Sequence, residues 1–511
     1  MHTKIYSAAT IGVEAYIVDV EVDIAFGMVN FFIVGLPDIA IKESRQRIQT
    51  ALKNCGIRFP EKKITVNLAP ADLKKEGTFF DLPIAIGILQ ASQLLSMPTE
   101  FLQETIFLGE LSLDGRIKPV KGALAIAYDA QRLGKKRIIL PKENAQEASF
   151  IPSIEVIGVS HLVELIAFLR HERSLTPTKP LIPATSSRTN DIDFSQVKGQ
   201  ENAKRALLIA AAGGHNILFI GSPGAGKTML AQRLTTIMPE MTFDEVLEAS
   251  KIYSISGKLQ GKPLITERPF RAPHHTISQA GLVGGGTFPQ PGEISLAHQG
   301  ILFLDELTEF KRQTLEALRQ PLESKEVCIA RAQQSVTFPA SFLLVAAFNP
   351  CPCGFYGDKK RECTCSQLQV DRYLEKLSGP LLDRIDLQIH VPSIEYDVVK
   401  DTRPTTSSAD LKQLVDRATT RQRQRFAGAT QRNATMTPDQ IDQYCEVTEK
   451  AEQLIKKVFD ALHLSMRGYH KVLKVARTIA DLEGTDIIDV PHIQEALMYR
   501  SVDQYLEKRR G

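Results

Sequence analysis

The sequence predicts an α/β protein with several domains, and three observations lead to this prediction. At 511 residues, the chain is longer than one hydrophobic core usually supports. Apolar, β-rich runs alternate with helix-like stretches, which is the pattern of mixed α/β domains and of parallel sheets. Beyond about Val391 the strand signals fade and helical patterns predominate. We therefore expect α/β domains followed by an all-helical region.

Four segments follow from these changes of pattern. Residues 1–170 alternate strands with helices and predict a compact α/β domain. Residues 171–192 are rich in Pro, Ser and Thr and lack periodicity, so they predict a linker. Residues 193–395 are the predicted parallel-sheet core, and residues 396–511 are the predicted helical domain.

Composition and charge exclude several classes of protein. The apolar fraction of 43% and charged fraction of 24% are ordinary for a globular chain, so disorder is not expected. A net charge of +3 gives no whole-molecule attraction to a polyanion, and any such site must be a local patch. We find no basic segment leading into a long apolar run, and no stretch of the ~18 apolar residues that a membrane span needs. We therefore expect a cytoplasmic protein without a membrane partner.

Residues 221–228, GSPGAGKT, match the phosphate-binding pattern G-x-x-x-x-G-K-[ST] between the strand NILFI and the helix MLAQRL. The glycines let backbone N–H groups approach a phosphate chain, and the following helix N-terminus adds positive potential. We expect Lys227 to neutralise the β- and γ-phosphates of ATP and Thr228 to bind Mg²⁺. The predicted nucleotide-binding residues are Gly221, Ser222, Pro223, Gly224, Ala225, Gly226, Lys227 and Thr228.

Two further strands end in polar residues that suit the same chemistry. ILFLDE ends in two carboxylates, of which Asp305 should position Mg²⁺ and Glu306 should polarise the attacking water. FLLVAAFNP ends at Asn349, whose amide could hold that water near the γ-phosphate. The alternative for Asn349 is an Asn-Pro turn.

Two arginines in the later part of the chain could act on the phosphates as well. Arg384 follows a helix in SGPLLDRIDLQIHV and could stabilise transition-state charge in a neighbouring subunit's site, as arginine fingers do. The alternative is a surface salt bridge with Asp383 or Asp386. Arg467 begins a C-terminal helix and could sense phosphate, or it could be an ordinary exposed residue.

Four of the seven cysteines lie in the segment CPCGFYGDKKRECTC. Two C-x-C pairs separated by nine residues supply enough thiolates for a closed tetrahedral Zn²⁺ site with a structural role. The predicted ligands are Cys351, Cys353, Cys363 and Cys365. Between them, Lys359, Lys360 and Arg361 could present charge to DNA phosphate. Pairing of the thiols under oxidation is a third interpretation, and the other three cysteines are most simply ordinary thiols.

Two groups of potentially cationic residues have two interpretations each. His274 and His275 are adjacent, so we expect their side chains not to converge, which disfavours a metal site. The run RATTRQRQRF fits a solvated helix face about as well as a DNA contact. Its arginines are Arg417, Arg421, Arg423 and Arg425.

Together these residues resemble the helix-2-insert branch of AAA+ proteins, which contains magnesium chelatase ATPase subunits and MCM helicases. The likeness spans about Asp193 to Glu507. RPFRAPHHTISQAGLVGGGTFPQPGEISLAHQG resembles the insert of the chelatase-like group. EALRQPLESKEVCIARAQQSVTFPASF resembles the hairpin before the next strand, with Arg331 near its tip. In motors of this branch such inserts line a central pore and touch the substrate strand.

The N-terminal domain resembles the proteolytic domain of Lon proteases and the similar domain of RadA, through GELSLDGRIKPVKGALAIAYDAQRLGKKRIILPKENAQE. When the family motif GPSAG is laid on GTFFD, the position of the nucleophilic serine carries Phe79. The position of the family's catalytic lysine, after PVKGA, carries Leu124. Without a hydroxyl nucleophile or a base the Ser-Lys mechanism cannot run, so we expect a scaffold or a DNA-binding module.

A Lon-like domain, a chelatase-like AAA+ module and a helical lid form the architecture of the ComM/YifB family, which the chain resembles over nearly its whole length. The resemblance implies a hexameric motor and helicase that acts on single-stranded and branched DNA with recombination proteins. In that family the motor drives branch migration during natural transformation. ATP hydrolysis is expected from the residues themselves, whereas the DNA substrate is expected from the resemblance.

Two other classes of function remain open. The chain could be the ATPase motor of a metal-insertion enzyme, as in magnesium chelatase, although the Lon-like domain argues against this. It could also be an ATP-dependent protease or a protein unfoldase. Phe79 and Leu124 argue against the protease and leave the unfoldase open.

Overall fold

The structure is a computed structural model of the chain. It describes residues 2–75, 77–181, 192–259, 261–286, 289–330, 335–358, 360–393, 405–428, 430–461 and 464–500. By their internal contacts the residues divide into two compact units. Unit 1 comprises residues 1–186, 246–265 and 332–337, and unit 2 comprises residues 187–245, 266–331 and 338–511. Ten of the 22 residues of the predicted linker, residues 182–191, lie outside the described residues. The boundaries expected at 170, 192 and 395 stay predictions.

Nine strands and seven helices are described within the first 186 residues. The strands are β1 (His2–Ile11), β2 (Glu14–Ala25), β3 (Asn30–Val34), β4 (Lys63–Ala69), β5 (Thr105–Phe107), β6 (Glu110–Leu111), β7 (Ile117–Lys118), β8 (Arg137–Pro141) and β9 (Glu155–Val159). The helices are α1 (Ile39–Lys42), α2 (Ser44–Asn54), α3 (Asp81–Ala91), α4 (Thr99–Glu104), α5 (Ala123–Arg132), α6 (Lys142–Ala148) and α7 (Leu162–Leu169).

Unit 1 is built on a seven-stranded mixed sheet of order β3-β4-β2-β1-β5-β8-β9. The long strands β1 and β2 pair antiparallel from His2 opposite Asp23 to Ile11 opposite Glu14. The pairs β1–β5, β5–β8 and β8–β9 are parallel, as expected where helices connect the strands. Helix α3 is apolar and almost entirely buried, so it forms the centre of this unit's core.

In unit 1, apolar side chains stand at the two positions that the Lon resemblance aligns with a catalytic serine and a catalytic lysine. Phe79 is half-buried beside Phe80, with ring centroids 4.6 Å apart, and Leu124 is fully buried in α5. The carboxylate of Asp81, at the start of α3, is buried and accepts bonds from Arg47 of 2.7 and 2.9 Å. The side chains of this segment are therefore engaged in apolar packing and in the ion pair between Arg47 and Asp81.

Residues 246–265 join unit 1 although they lie between the two phosphate-site motifs in the sequence. Ser254 donates a 2.6 Å hydrogen bond to the buried carboxylate of Glu147 in α6, and burial raises the pKa of that carboxyl. The Nζ of Lys251 lies 3.1 Å from the centroid of the Tyr128 ring, and burial lowers the pKa of Lys251 to about 8. Buried polar contacts thus hold this segment in unit 1.

Nine strands and nine helices are described between residues 192 and 393. The strands are β10 (Ile217–Ile220), β11 (Phe270–Arg271), β12 (Gly284–Gly285), β13 (Gln290–Pro291), β14 (Ile301–Leu304), β15 (Glu326–Ala330), β16 (Ser335–Pro339), β17 (Leu343–Phe348) and β18 (Leu387–His390). The helices are α8 (Glu201–Gly213), α9 (Lys227–Ile237), α10 (Phe243–Ile255), α11 (Gln279–Val283), α12 (Glu293–Leu296), α13 (Arg312–Glu316), α14 (Arg319–Ser324), α15 (Gln367–Leu374) and α16 (Gly379–Leu382).

Unit 2 contains a five-stranded parallel sheet of order β11-β14-β17-β10-β18. Every residue of the central strands β10, β14 and β17 is buried, as expected for a sheet covered on both faces. This confirms the predicted parallel sheet. Since the strands are parallel, their carboxyl ends lie along one edge.

The C-terminal part of unit 2 is helical, as predicted. Its helices are α17 (Ser408–Arg425), α18 (Pro438–Tyr444), α19 (Glu449–Ala461), α20 (Met466–Glu483) and α21 (Val490–Met498). Apolar residues of these helices and of the parallel sheet belong to one hydrophobic core. In the part of the chain that the structure describes, no helix is long and apolar enough to cross a membrane.

A buried ionic cluster ties three segments of the helical region together. Asp481 of α20 is fully buried and accepts bonds of 2.5 and 2.8 Å from Arg425 of α17. It also accepts bonds from Asn433 at 2.8 Å and from Arg477 at 3.2 Å. Arg425 therefore lies on the inner side of its helix, whereas Arg421 pairs with the exposed Asp486. The basic run is in part a structural element.

We predict that Asp481→Ala destabilises unit 2 strongly, because Arg425 and Arg477 would keep buried guanidinium groups without their carboxylate. Removing one partner of a buried ion pair costs about 3–5 kcal/mol. Urea denaturation followed by circular dichroism should show the helical transition at a lower midpoint. The control is Asp442→Ala, which removes an exposed carboxylate from α18. Equal midpoints for the two variants would contradict the prediction.

Candidate functional site

The candidate site lies where β10, β14 and β17 end. The register pairs Ile220 of β10 with Phe348 of β17, and Leu304 of β14 with Ala346 of β17. The residues just after these strand ends therefore stand side by side at the sheet edge. They are the phosphate-binding loop, the pair Asp305 and Glu306, and Asn349.

The backbone of the phosphate-binding loop requires glycine at several positions. A Cβ on Gly221 would lie 2.2 Å from the carbonyl oxygen of Val391, so no side chain fits there. Gly224 and Gly226 have φ values of +78° and +86°, which favour glycine. An added Cβ on Gly224 would meet nothing within 4 Å, so the loop is open at that point. The loop leads directly into α9, whose first residue is Lys227.

The ammonium group of Lys227 is held among oxygen atoms at the sheet edge. Its Nζ donates to the carbonyl oxygens of Gly221 at 2.6 Å and Ser222 at 3.2 Å, and to Oδ1 of Asn349 at 2.9 Å. Burial lowers the pKa of Lys227. A phosphate chain placed in the loop would supply anionic oxygens to this buried cation, which makes the site suitable for a nucleotide.

Two oxygen donors that suit Mg²⁺ lie together beside the lysine. The Thr228 hydroxyl donates a 2.6 Å hydrogen bond to Oδ2 of Asp305. Mg²⁺ takes hydroxyl, carboxylate and phosphate oxygens, so Thr228 and Asp305 fit the ion. When bound, Mg²⁺ neutralises charge on the β- and γ-phosphates. The backbone N–H of Glu306 donates to Oδ1 of Asp305 at 2.9 Å and orients that carboxylate.

Glu306 contacts a residue that the sequence analysis did not connect with it. The residue has a left-handed backbone, with φ of +52°, and its Oε2 lies 3.1 Å from Nδ1 of His275. The ring centroids of His274 and His275 are 4.1 Å apart, but Nδ1 of His274 contacts the Thr276 hydroxyl and Nδ1 of His275 contacts Glu306, so the two rings serve different partners. Because His275 is 31 positions before Glu306, no local pattern indicated the contact.

The cysteine segment packs against the phosphate-binding loop at two points that sequence analysis missed. Ser222 donates a 2.5 Å hydrogen bond to Oδ2 of Asp358, and this bond lowers the pKa of the Asp358 carboxyl. A Cβ added to Gly354 would lie 2.5 Å from Cδ of Pro223, so glycine is needed for close packing. Asp358 lies between the cysteine pairs in the sequence, which offered no sign of its partner.

The four clustered cysteines have their sulfur atoms within 4.8 Å of one another, and none forms a disulfide. Sγ of Cys351 lies 3.3 Å from Sγ of Cys353 and 3.7 Å from Sγ of Cys363. A hydrogen bond from the backbone of Phe355 lowers the pKa of Cys353 to about 5. The structure therefore brings together all four predicted zinc ligands.

The two predicted arginines meet at one carboxylate. Glu323 of α14 accepts from Arg384 at 2.7 Å and from Arg467 at 2.9 Å, and Arg384 holds the pKa of Glu323 below its usual range. Arg384 therefore pairs with Glu323 and not with Asp383 or Asp386, the two partners named in the alternative interpretation. Asp386 instead faces His215 and Lys471. Arg384 also donates to the carbonyl oxygen of Pro380, and among the described residues neither arginine is bonded to the phosphate-binding loop.

The basic residues singled out at the predicted hairpin and in the cysteine segment are described only in part. Arg331, at the predicted hairpin tip, and Lys359 lie outside the described residues. Lys360 and Arg361 are exposed, and the Arg361 guanidinium lies 4.3 Å from the centroid of the Phe355 ring.

The parallel sheet, the glycine-rich loop before α9 and the carboxylates after the neighbouring apolar strand together define the class of P-loop proteins of AAA+ type. The helical region that shares a core with the sheet agrees with that class.

Comparison with protein families identifies the branch of this class. Residues 193–399 match the family described as magnesium chelatase, subunit ChlI, and residues 405–500 match the C-terminal part of that subunit. Residues 20–144 match a family described as subunit ChlI of Mg-chelatase.

Whole-chain relatives narrow the assignment. The chain is 44% identical over 509 residues to competence protein ComM of Haemophilus influenzae, covering 99% of this chain and 98% of ComM. It is 44% identical over 503 residues to YifB of Escherichia coli, covering 98% and 97%. The magnesium-chelatase 38 kDa subunit of Rhodobacter capsulatus is 24% identical over 365 residues, covering 64% of this chain and 89% of that subunit. The chain belongs to the ComM/YifB family of magnesium-chelatase-like AAA+ proteins.

The geometry predicts different effects for two substitutions. Lys227→Ala removes the buried cation and should abolish nucleotide binding. Glu306→Gln keeps the shape of the side chain but removes the predicted general base, so binding should persist while hydrolysis falls by at least about 100-fold. Equilibrium binding of a fluorescent ATP analogue and steady-state phosphate release measure the two effects. An unaltered rate in Glu306→Gln would show that Glu306 is not the base.

Proposed function

We propose that the chain is an ATP-hydrolysing DNA motor that promotes branch migration in homologous recombination during natural transformation. The observation that carries the proposal is the 44% identity to a competence protein over 99% of this chain. The contacts among Lys227, Asn349, Thr228 and Asp305 support it, because they suit the binding of a nucleotide with Mg²⁺. The name of that relative refers to competence. Hydrolysis of ATP at the proposed nucleotide site would supply the free energy for movement along DNA.

The proposed hydrolysis assigns a role to each side chain at the sheet edge. Lys227 binds the β- and γ-phosphates, and Thr228 and Asp305 hold Mg²⁺. Glu306 accepts a proton from the attacking water, and His275, 3.1 Å from its carboxylate, orients it. Asn349, whose Oδ1 accepts from Lys227, holds the same water in this proposal.

Arg384 is the proposed arginine finger, and it acts in a neighbouring subunit of a homo-hexamer. Within one chain it is paired with Glu323, and its Nε is buried without a partner among the described residues. An arginine held near a carboxylate in one subunit can exchange that carboxylate for a phosphate of the next. Arg467 shares Glu323 and would register the same exchange as a phosphate sensor.

The alternatives are weaker on specific grounds. A metal-insertion motor is supported by family profiles described as chelatase subunits, including the one at residues 20–144. The N-terminal domain therefore no longer argues against it. However, likeness to the 38 kDa chelatase subunit is 24% and covers 64% of the chain, against 44% and 99% for the competence protein. Proteolysis would need a nucleophile and a base where Phe79 and Leu124 stand.

ATP hydrolysis should be stimulated by DNA, and that measurement separates the three functions. The purified chain is assayed alone, with single-stranded DNA, with a branched junction and with an unfolded protein. We expect stimulation by DNA, which weakens steeply with salt because phosphate contacts release counterions. Movement of the junction should be lost in Lys227→Ala. Stimulation by unfolded protein and indifference to DNA would contradict the DNA motor and favour the unfoldase.

Mixing two inactive variants tests whether Arg384 acts between subunits. Arg384→Ala keeps its own P-loop, and Lys227→Ala keeps its own finger, so each variant alone should hydrolyse ATP poorly. In mixed rings, some sites combine an intact P-loop with an intact Arg384, and hydrolysis should reappear. Size-exclusion chromatography with light scattering verifies that the variants assemble. Assembled mixtures that stay inactive would argue against a finger in trans.

A further inference from the structure

The loop between β17 and α15 is long and irregular for a segment beside a nucleotide site. Within its described residues, 349–358 and 360–366, it contains neither helix nor strand. Loops of more than about 12–15 residues without secondary structure are uncommon, because no regular backbone hydrogen bonds fix their conformation. A covalent or metal link can fix it instead. The four clustered cysteines lie near both ends of this loop, where such a link would be most effective.

The separation of the sulfur atoms identifies the kind of link. The sulfur pairs 351–353, 353–363 and 351–363 are 3.3, 3.5 and 3.7 Å apart. A disulfide would bring two sulfurs to about 2.05 Å. A tetrahedral zinc ion with Zn–S distances of about 2.3 Å places its sulfurs about 3.8 Å apart. The backbone N–H of Cys353 also donates to Sγ of Cys365 at 3.4 Å, a contact that orients a thiolate ligand.

We propose that Cys351, Cys353, Cys363 and Cys365 bind one Zn²⁺, and that this ion holds the loop in place against the phosphate-binding loop so that nucleotide affinity depends on it. Four thiolates in a tetrahedral arrangement select Zn²⁺ over the harder Mg²⁺. On binding, the thiols release their protons to solvent and the sulfur lone pairs form four Zn–S bonds.

Two contacts join the cysteine-containing loop to the phosphate-binding loop and so connect the metal site with the nucleotide site. Gly354, directly after Cys353, packs on Pro223 so closely that a Cβ would clash. Asp358 accepts from Ser222, and the same carboxylate accepts from the backbone N–H of Lys360 at 2.7 Å. If the loop loses its metal, the phosphate-binding loop loses this support. The dependence of nucleotide affinity rests on the proposed nucleotide site, whereas the metal itself does not.

Metal content is measured first, on the full chain purified without added metal or chelator. Mass spectrometry of the metals should find about one zinc per chain, as expected for a closed Cys₄ site. The double variant Cys363→Ser with Cys365→Ser should lose it, and the control Cys328→Ser, outside the cluster, should keep it. Should the double variant not fold, Cys365→His offers a Cys₃His set that should retain zinc. Substitution by Co²⁺ should give the visible absorption of a tetrahedral thiolate complex.

Absence of zinc from the wild-type chain, or an equal zinc content in the double variant and the control, would overturn the metal site. Nucleotide affinity is then measured by equilibrium binding of a fluorescent ATP analogue, before and after removal of zinc by a chelator. We expect affinity to fall about tenfold, equivalent to about 1.4 kcal/mol. Asp358→Ala should weaken binding while zinc is retained, and the control Glu362→Ala, an exposed carboxylate of the same loop, should not.

The outcomes distinguish this inference from the proposed function. Zinc bound with unchanged nucleotide affinity after its removal would overturn the coupling and leave the motor intact. Unchanged binding of the analogue in Lys227→Ala would instead remove the nucleotide site itself, and with it the coupling.

Discussion

The parallel pairing of β14, β17 and β10 is the constraint on which the candidate site depends. Three fully buried strands fix their register through apolar contacts on both faces, so the residue after each strand has little freedom in height or direction. Lys227, Asp305 and Asn349 reach one another from separate parts of the chain for this reason. A slip of one residue in β17 would turn the side chain of Asn349 away from Lys227.

The buried ammonium of Lys227 explains why this edge is surrounded by oxygen atoms. A cation removed from water needs hydrogen-bond acceptors, and it has two carbonyl oxygens and the amide oxygen of Asn349. These neutral acceptors hold the lysine in position without cancelling its charge. The site thus retains an attraction for a phosphate chain, in the open space beside Gly224.

Supporting contacts around this edge come from parts of the chain far from it in sequence. Asp358 binds the hydroxyl of Ser222, 136 positions earlier, and His275 lies against Glu306. Glu323 joins Arg384 and Arg467, which belong to the end of the sheet region and to the helical region. Loss of the Glu323 carboxylate would therefore remove the ion pairs that link α14 to Arg384 and to α20.

The sequence by itself determined the α/β class, the parallel sheet, the helical C-terminal region and the residues that are candidates for phosphate chemistry. These were accessible because the glycines, the lysine and the carboxylates are contiguous with the apolar strands that position them. The cysteine cluster was visible for the same reason, since its members lie within 15 positions.

Only the tertiary structure decided the partners that act across long separations. It brought His275 to Glu306, Asp358 to Ser222 and Glu323 to both arginines, and it assigned residues 246–265 to unit 1. Local patterns fix which backbone conformation a segment prefers, whereas such contacts depend on how completed elements pack. Periodicity records the buried face of an element but not the identity of what lies against it.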